Sequence, residues 1–181
     1  MSGGATASLP AHLILVGLPG AGKTTHGRRA ARALRRPFID LDRRIVHLDG
    51  RAIARIFAED GEPAFRDLER TATAALAIEP PSIVAPGGGW IMNPANVELV
   101  KPGAQIVWLQ VSPKVALQRM GGRVSLRPLL ANGNPLRNLE QLLAKRRDRY
   151  AMADAVINTE LLDWQGVVNA LAALATPNVA G

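Results

Sequence analysis

The run Gly17-Leu-Pro-Gly20-Ala21-Gly22-Lys23-Thr24-Thr25 carries residue types that can hold phosphate groups. Its spacing is G-x-x-x-x-G-K-[ST], in which glycines let backbone N–H groups turn onto phosphate oxygens. Lys23 is placed to reach the β- and γ-phosphates of a nucleotide, and Thr24 to offer a hydroxyl to Mg²⁺. Gly20, Ala21, Gly22 and Thr25 complete the cradle, and a helix starting here adds its positive end. A glycine-rich turn that only caps a helix is the plainer alternative.

Chemistry on a nucleotide phosphate needs a carboxylate near the metal. The apolar stretch ending at Gln110 and the stretch SIVAPGGG offer none, which leaves FIDLD. Asp40 and Asp42 are two apart and, on an extended strand, project to the same face. One can sit by the metal while the other accepts a proton from an incoming hydroxyl. Alternatively, Asp42 caps a helix beginning near Arg43.

The segment Phe57 to Glu69, FAEDGEPAFRDLE, sets Arg66 one helical turn from Glu69, flanked by Phe57 and Phe65. A surface ion pair is the bland reading. Two aromatics of the buried kind favour a partly desolvated arginine oriented by Glu69 and open to a carboxylate. A second glycine run, Gly87-Gly88-Gly89, follows VAP and precedes Trp90. Side chains at those positions would block close approach of a ligand, although a bulge at a strand end is the alternative. RPLL at 127–130 and KRRDRY at 145–150 supply further arginines.

These groups need a frame. AHLILVG (11–17) reads as a buried strand and Lys23 to about Arg35 as a helix. PFIDLD (37–42), SIVAPGGG (82–89), AQIVWLQVS (104–112) and DAVINT (154–159) are strand candidates. Residues 51–77 carry helical spacing broken at Gly61, and further helices fall near 95–100, 113–120, 138–150 and 163–175. Alternation of strand and helix predicts an α/β fold with a parallel sheet covered on both faces. Residues 121–138 lack periodicity and read as a mobile loop, while the tail from Thr176 reads as frayed.

Composition narrows the classes. The 181 residues, 48% hydrophobic and 20% charged, suit one globular domain. No apolar run spans a bilayer and the first ten residues lack a signal-peptide pattern, which points to the cytoplasm and no membrane partner. Without cysteine there is no disulfide, thiolate metal site or cysteine nucleophile. The net charge of +7 rests mainly on arginine, the lysines being only Lys23, Lys101, Lys114 and Lys145. The arginines are interspersed with acids and lack interleaved aromatics, so small anionic ligands suit them better than nucleic acid.

GLPGAGKTT, DLD, FAEDGEPAFRDLE, GGG and RPLL, in that order and with an arginine four residues before Tyr150, resemble the shikimate kinase family from about Leu13 to Thr159. The resemblance implies a single phosphate-loop kinase domain over 1–181, of three layers α/β/α. It implies a five-stranded parallel sheet of order 2-3-1-4-5, a substrate-binding region at 41–70 and a mobile lid at 121–134. It implies transfer of the γ-phosphoryl of ATP to the 3-hydroxyl of shikimate, with Mg²⁺, by a monomer. By the same resemblance Asp42 is the base and Asp40 lies near Mg²⁺. Arg66 and Arg146 bind the shikimate carboxylate, and Gly88, within Gly87–Gly89, meets the substrate. Arg127 closes over the phosphates with the lid, and Arg119 helps hold the nucleotide.

Three departures stand out. Trp90 and the preceding Ala85-Pro86 are unusual beside the triple glycine and are expected to reshape the acceptor pocket. At 158–164, NTELLDW lacks an adenine-side arginine. A gluconate or nucleotide kinase would share the first loop, and a non-catalytic metabolite sensor would keep the pocket.

Overall fold

The protein is described by a computed structural model covering residues 12–122, 130 and 133–175. Strand β1 (His12–Val16) is central, and its Leu13, Ile14 and Leu15 are wholly buried. An apolar run on both faces is what a strand covered from both sides requires. Strands β3 (Ser82–Ala85) and β4 (Ala104–Gln110) pair with it on either side. Strands β2 (Phe38–Asp40) and β5 (Ala155–Asn158) form the edges. All pairings are parallel and the order is β2-β3-β1-β4-β5, as expected.

Helix α1 (Lys23–Leu34) lies against β1, β2 and β3 and beside the last helix, α8 (Trp164–Ala175). Helices α2 (Leu41–Asp49), α3 (Ile53–Glu59) and α5 (Pro94–Val100) gather round α4 (Gly61–Ala74). Helix α6 (Pro113–Met120) packs on α7 (Pro135–Tyr150). The break at Gly61 falls where the spacing predicts it, at φ 79°. Among the described residues no helix is long and apolar enough to cross a membrane.

Two boundaries correct the sequence reading. Strand β2 stops at Asp40, whose Oδ1 accepts the Arg43 N–H at 3.2 Å and caps α2. Asp42 therefore lies in the first helical turn, not on an extended strand, and Asp40 is the cap. Helix α7 begins earlier than expected, because Asn134 caps it and Pro135 occupies its first turn.

Since the strands are parallel, their carboxyl ends share one edge of the sheet. There β1 leads into the phosphate loop, β2 into Asp40 and Asp42, and β3 into the triple glycine. Asp40 and Ala85 are register partners, so the last two of these turns start side by side. This is the edge at which open α/β sheets hold ligands.

Candidate active site

The phosphate loop needs its glycines for room and for conformation. Gly20 and Gly22 have φ of 83° and 87°, a region that side chains seldom enter. A Cβ at Gly20 would lie 2.4 Å from the Ala116 carbonyl oxygen. Helix α1 starts from Gly22 with no side-chain cap and no acid in its first turn, which leaves N–H groups and a positive end for an anion. Lys23 Nζ donates to the carbonyls of Gly17 (2.8 Å) and Leu18 (3.0 Å), a posture that holds the ammonium beside the loop. Gly20, Gly22, Lys23, Thr24 and Thr25 line a cavity of about 770 Å³; Ala21 is wholly buried beneath it.

Asp40, Asp42, Gly87 and Gly88 line the same cavity, although the two carboxylates reach it from different elements. Thr24 and Asp40 are hard oxygen donors, the type Mg²⁺ takes. No group of three or more histidines or acids among the described residues could hold a metal by itself. A pair of protein oxygens fits an ion that keeps its waters and shares nucleotide phosphates.

The triple glycine answers to three side chains in turn. A Cβ at Gly87 would lie 2.7 Å from Asp42 Oδ1, one at Gly88 3.0 Å from Arg146 Nη1, and one at Gly89 3.2 Å from Arg66 Nη2. Each glycine is thus the close neighbour of one expected acceptor-binding residue. Consecutive Cα atoms are about 3.8 Å apart, so the three groups are held along roughly 7.6 Å of backbone. The turn is fixed by the Trp90 N–H donating to the Gly87 carbonyl at 3.1 Å.

Arg66 is held from two sides. Its Nη1 donates to both Glu69 oxygens at 3.2 and 3.1 Å, and its Nε and Nη2 donate to Glu62 Oε1 at 3.1 and 2.8 Å. Glu62 is a partner that the sequence reading missed, although it stands one turn before Arg66. Burial works against the Arg66 charge, but the two carboxylates outweigh it and its pKa lies above the ordinary arginine value. Glu69 is only 2% exposed, and Asn96 Nδ2 gives it a further bond at 3.0 Å. Arg66 and Gly89 line a smaller hollow of about 320 Å³, so the glycine turn forms a wall of both spaces.

Arg146 sits in α7 one turn before Tyr150, which is wholly buried and stacked on Trp108 at 5.5 Å between ring centres. Arg146 is buried, and its Nη1 has no hydrogen-bond partner among the described residues. A buried guanidinium nitrogen left in that state is a strong site for an incoming carboxylate.

Other expectations change. Trp90 is wholly buried in the core, with Nε1 donating to Thr73 Oγ1 at 2.9 Å, and it does not line the large cavity. Its indole is part of the core and not of the cavity lining. Pro86 and Ala85 do line it. Phe57 is 39% exposed, not buried, although its ring lies 4.6 Å from that of Phe65. Arg119 lines the cavity and donates to the Thr159 hydroxyl and carbonyl, tying α6 to the turn after β5. His26, which the sequence reading passed over, lines the cavity too. Burial, then Arg119 and Arg29, lower its pKa. Arg127, most of 121–134, residues 1–10 and the tail from Thr176 lie outside the described residues.

The family profile described as shikimate kinase matches residues 19–174. A shikimate kinase of Moorella thermoacetica is 41% identical over 152 residues, 84% of this chain and 87% of the relative. A solved shikimate kinase from Acinetobacter baumannii in complex with shikimate superposes with TM-score 0.85 at 34% identity, covering 98% of each chain. A gluconokinase from Sinorhizobium meliloti shares the fold at TM-score 0.59 but only 21% identity, over 92% of this chain and 94% of that one.

Proposed function

The chain belongs to the shikimate kinase family, and from that premise we propose that it phosphorylates the 3-hydroxyl of shikimate with ATP, giving shikimate 3-phosphate and ADP. The observation that carries the reading is the glycine turn, whose three glycines lie against Asp42, Arg146 and Arg66 in turn and which walls the cavity of the phosphate loop. Their spacing suits a small ring acid with a carboxylate at one end and hydroxyls at the other.

The phosphate-loop N–H groups and Lys23 bind the ATP phosphates, Lys23 exchanging its bonds to Gly17 and Leu18 for phosphate oxygens. Arg66 and Arg146 take the carboxylate and turn the 3-hydroxyl toward Asp42. Asp42 orients that hydroxyl and accepts its proton as the oxygen bonds to the γ-phosphorus and the bond to the β-phosphate oxygen breaks. Arg119 braces the nucleotide side, and Arg127, outside the described residues, is proposed as a further positive charge for the transferring group. Thr24 and Asp40 would hold Mg²⁺, which would supply neutralisation of phosphate charge when bound. The reading includes a monomeric, cytoplasmic enzyme.

A nucleoside monophosphate acceptor would bring a dianionic phosphate to an arginine already engaged by two carboxylates, which favours a singly charged acid. Asp42→Asn tests the reading. It should reduce ADP release to background while shikimate and ATP still bind by calorimetry. Near-normal turnover in that variant would remove Asp42 from the mechanism.

A further inference from the structure

Behind the glycine turn lies a buried hydrogen-bonded chain. Trp90 Nε1 donates to Thr73 Oγ1 at 2.9 Å, and that hydroxyl donates to the Glu69 carbonyl at 2.7 Å. Asn96 Nδ2 bridges the Glu69 carboxylate at 3.0 Å and the Trp90 carbonyl at 3.3 Å. Trp90 thus reaches Glu69 twice, once through each end. Exposure is 0% at Trp90 and Asn96, 1% at Thr73 and 2% at Glu69.

We propose that Thr73, Trp90 and Asn96 are positioning residues that fix Glu69, and through it set the Arg66 guanidinium for the acceptor carboxylate; the inference rests on the acceptor reading above. The competition at Arg66 gives the chain its purpose. Glu62, 63% exposed, pulls the guanidinium outward, while buried Glu69 holds Nη1 inward. With Glu69 fixed, Nη1 and Nη2 face Gly89. Once Glu69 is free to turn, Arg66 follows Glu62 away from the glycine turn.

Asn96 also leaves its Oδ1 buried and, among the described residues, without a hydrogen-bond partner. An unpaired buried amide oxygen is destabilising, and a side chain chosen for packing alone would avoid it. The amide is explained by its two donations, which join the glycine turn to the Arg66 partner. The same bonds make one unit of α4, the 3₁₀ turn Trp90–Met92 and α5.

The test is steady-state kinetics on Thr73→Val, Thr73→Ser and Asn96→Ser in the full-length chain, with shikimate and ATP varied separately. Thr73→Val and Asn96→Ser should each raise KM for shikimate about three- to tenfold, as loss of a buried hydrogen bond would. KM for ATP and kcat should stay within about twofold, and Thr73→Ser, which keeps the hydroxyl, should restore the wild-type KM. In an Arg66→Ala background Asn96→Ser should add no further loss, because the chain acts through that arginine. Should Thr73→Val fail to fold, Asn96→Ser and its Arg66→Ala double variant decide the matter. An unchanged shikimate KM, equal losses for both substrates, or an additive loss in the Arg66→Ala background would overturn the positioning chain. A wild-type protein that does not turn over shikimate would instead overturn the acceptor reading.

Discussion

Gly87 and Asp42 approach so closely that a Cβ on the glycine would stand 2.7 Å from the aspartate's Oδ1. The atom met belongs to a side-chain carboxylate and not to the backbone, so Gly87→Ala can fold by pushing the carboxylate aside. A displacement near 1 Å at a reacting group can reduce the rate about a hundredfold. The expected result is a kcat lower by that order with ATP affinity and thermal stability close to wild type. Gly88→Ala, which crowds Arg146 Nη1 at 3.0 Å, should instead raise KM for shikimate. Parallel kinetics and thermal melts distinguish the two.

Gly20 gives the opposite pattern. Its φ is 83°, and the atom its Cβ would meet, 2.4 Å away, is the backbone oxygen of Ala116. Neither can be relieved by a side-chain rotation. Gly20→Ala should lose about 2 kcal/mol or more of stability and weaken ATP binding together. A melt unchanged by the substitution would contradict this account of the loop.

Arg66→Lys and Arg146→Lys keep the charge but lose the planar fork that meets a carboxylate with two parallel bonds. Each should raise KM for shikimate by about tenfold or more, with KM for ATP little changed. Arg146→Lys is expected to be the more damaging, since the buried Arg146 Nη1 has no partner among the described residues. Equal effects on both substrates would remove these arginines from the acceptor side.

Stability should rise with pH through the histidine range. Burial lowers the pKa of His12, whose ring meets the Leu76 carbonyl at 2.9 Å, and burial followed by Arg119 and Arg29 lowers that of His26. Both lie below the ordinary value of 6.5, so the unfolded chain binds more protons than the native one as pH falls through 6.5 and under it. Stability present above 6.5 is therefore lost on acidification. Urea titrations across that window should show it, and His12→Gln should flatten the dependence.

The sequence made some parts of the site plain and hid others, for reasons that differ residue by residue. The phosphate loop is legible because neighbouring residues meet one ligand, and the bonding demands fix their spacing. The role of Gly87–Gly89 is only half legible. Glycine signals close approach, but the approaching groups include Asp42, Arg66 and Arg146, brought from distant segments by the fold. Trp90 reads as a pocket residue until Thr73 supplies a buried acceptor for its indole. Asp40 and Asp42 read as strand partners because a carboxylate at a strand end and one at a helix cap look alike until the hydrogen bond to Arg43 is seen.

The most direct test of the central claim is ATP- and Mg²⁺-dependent ADP release with shikimate, gluconate and nucleoside monophosphates offered separately. The account predicts that shikimate alone stimulates turnover, and that the product carries its phosphate on the 3-hydroxyl by phosphorus and proton NMR. Turnover stimulated by gluconate or a nucleoside monophosphate, with shikimate inert, would contradict the assignment of Asp42, Arg66 and Arg146 to a shikimate site.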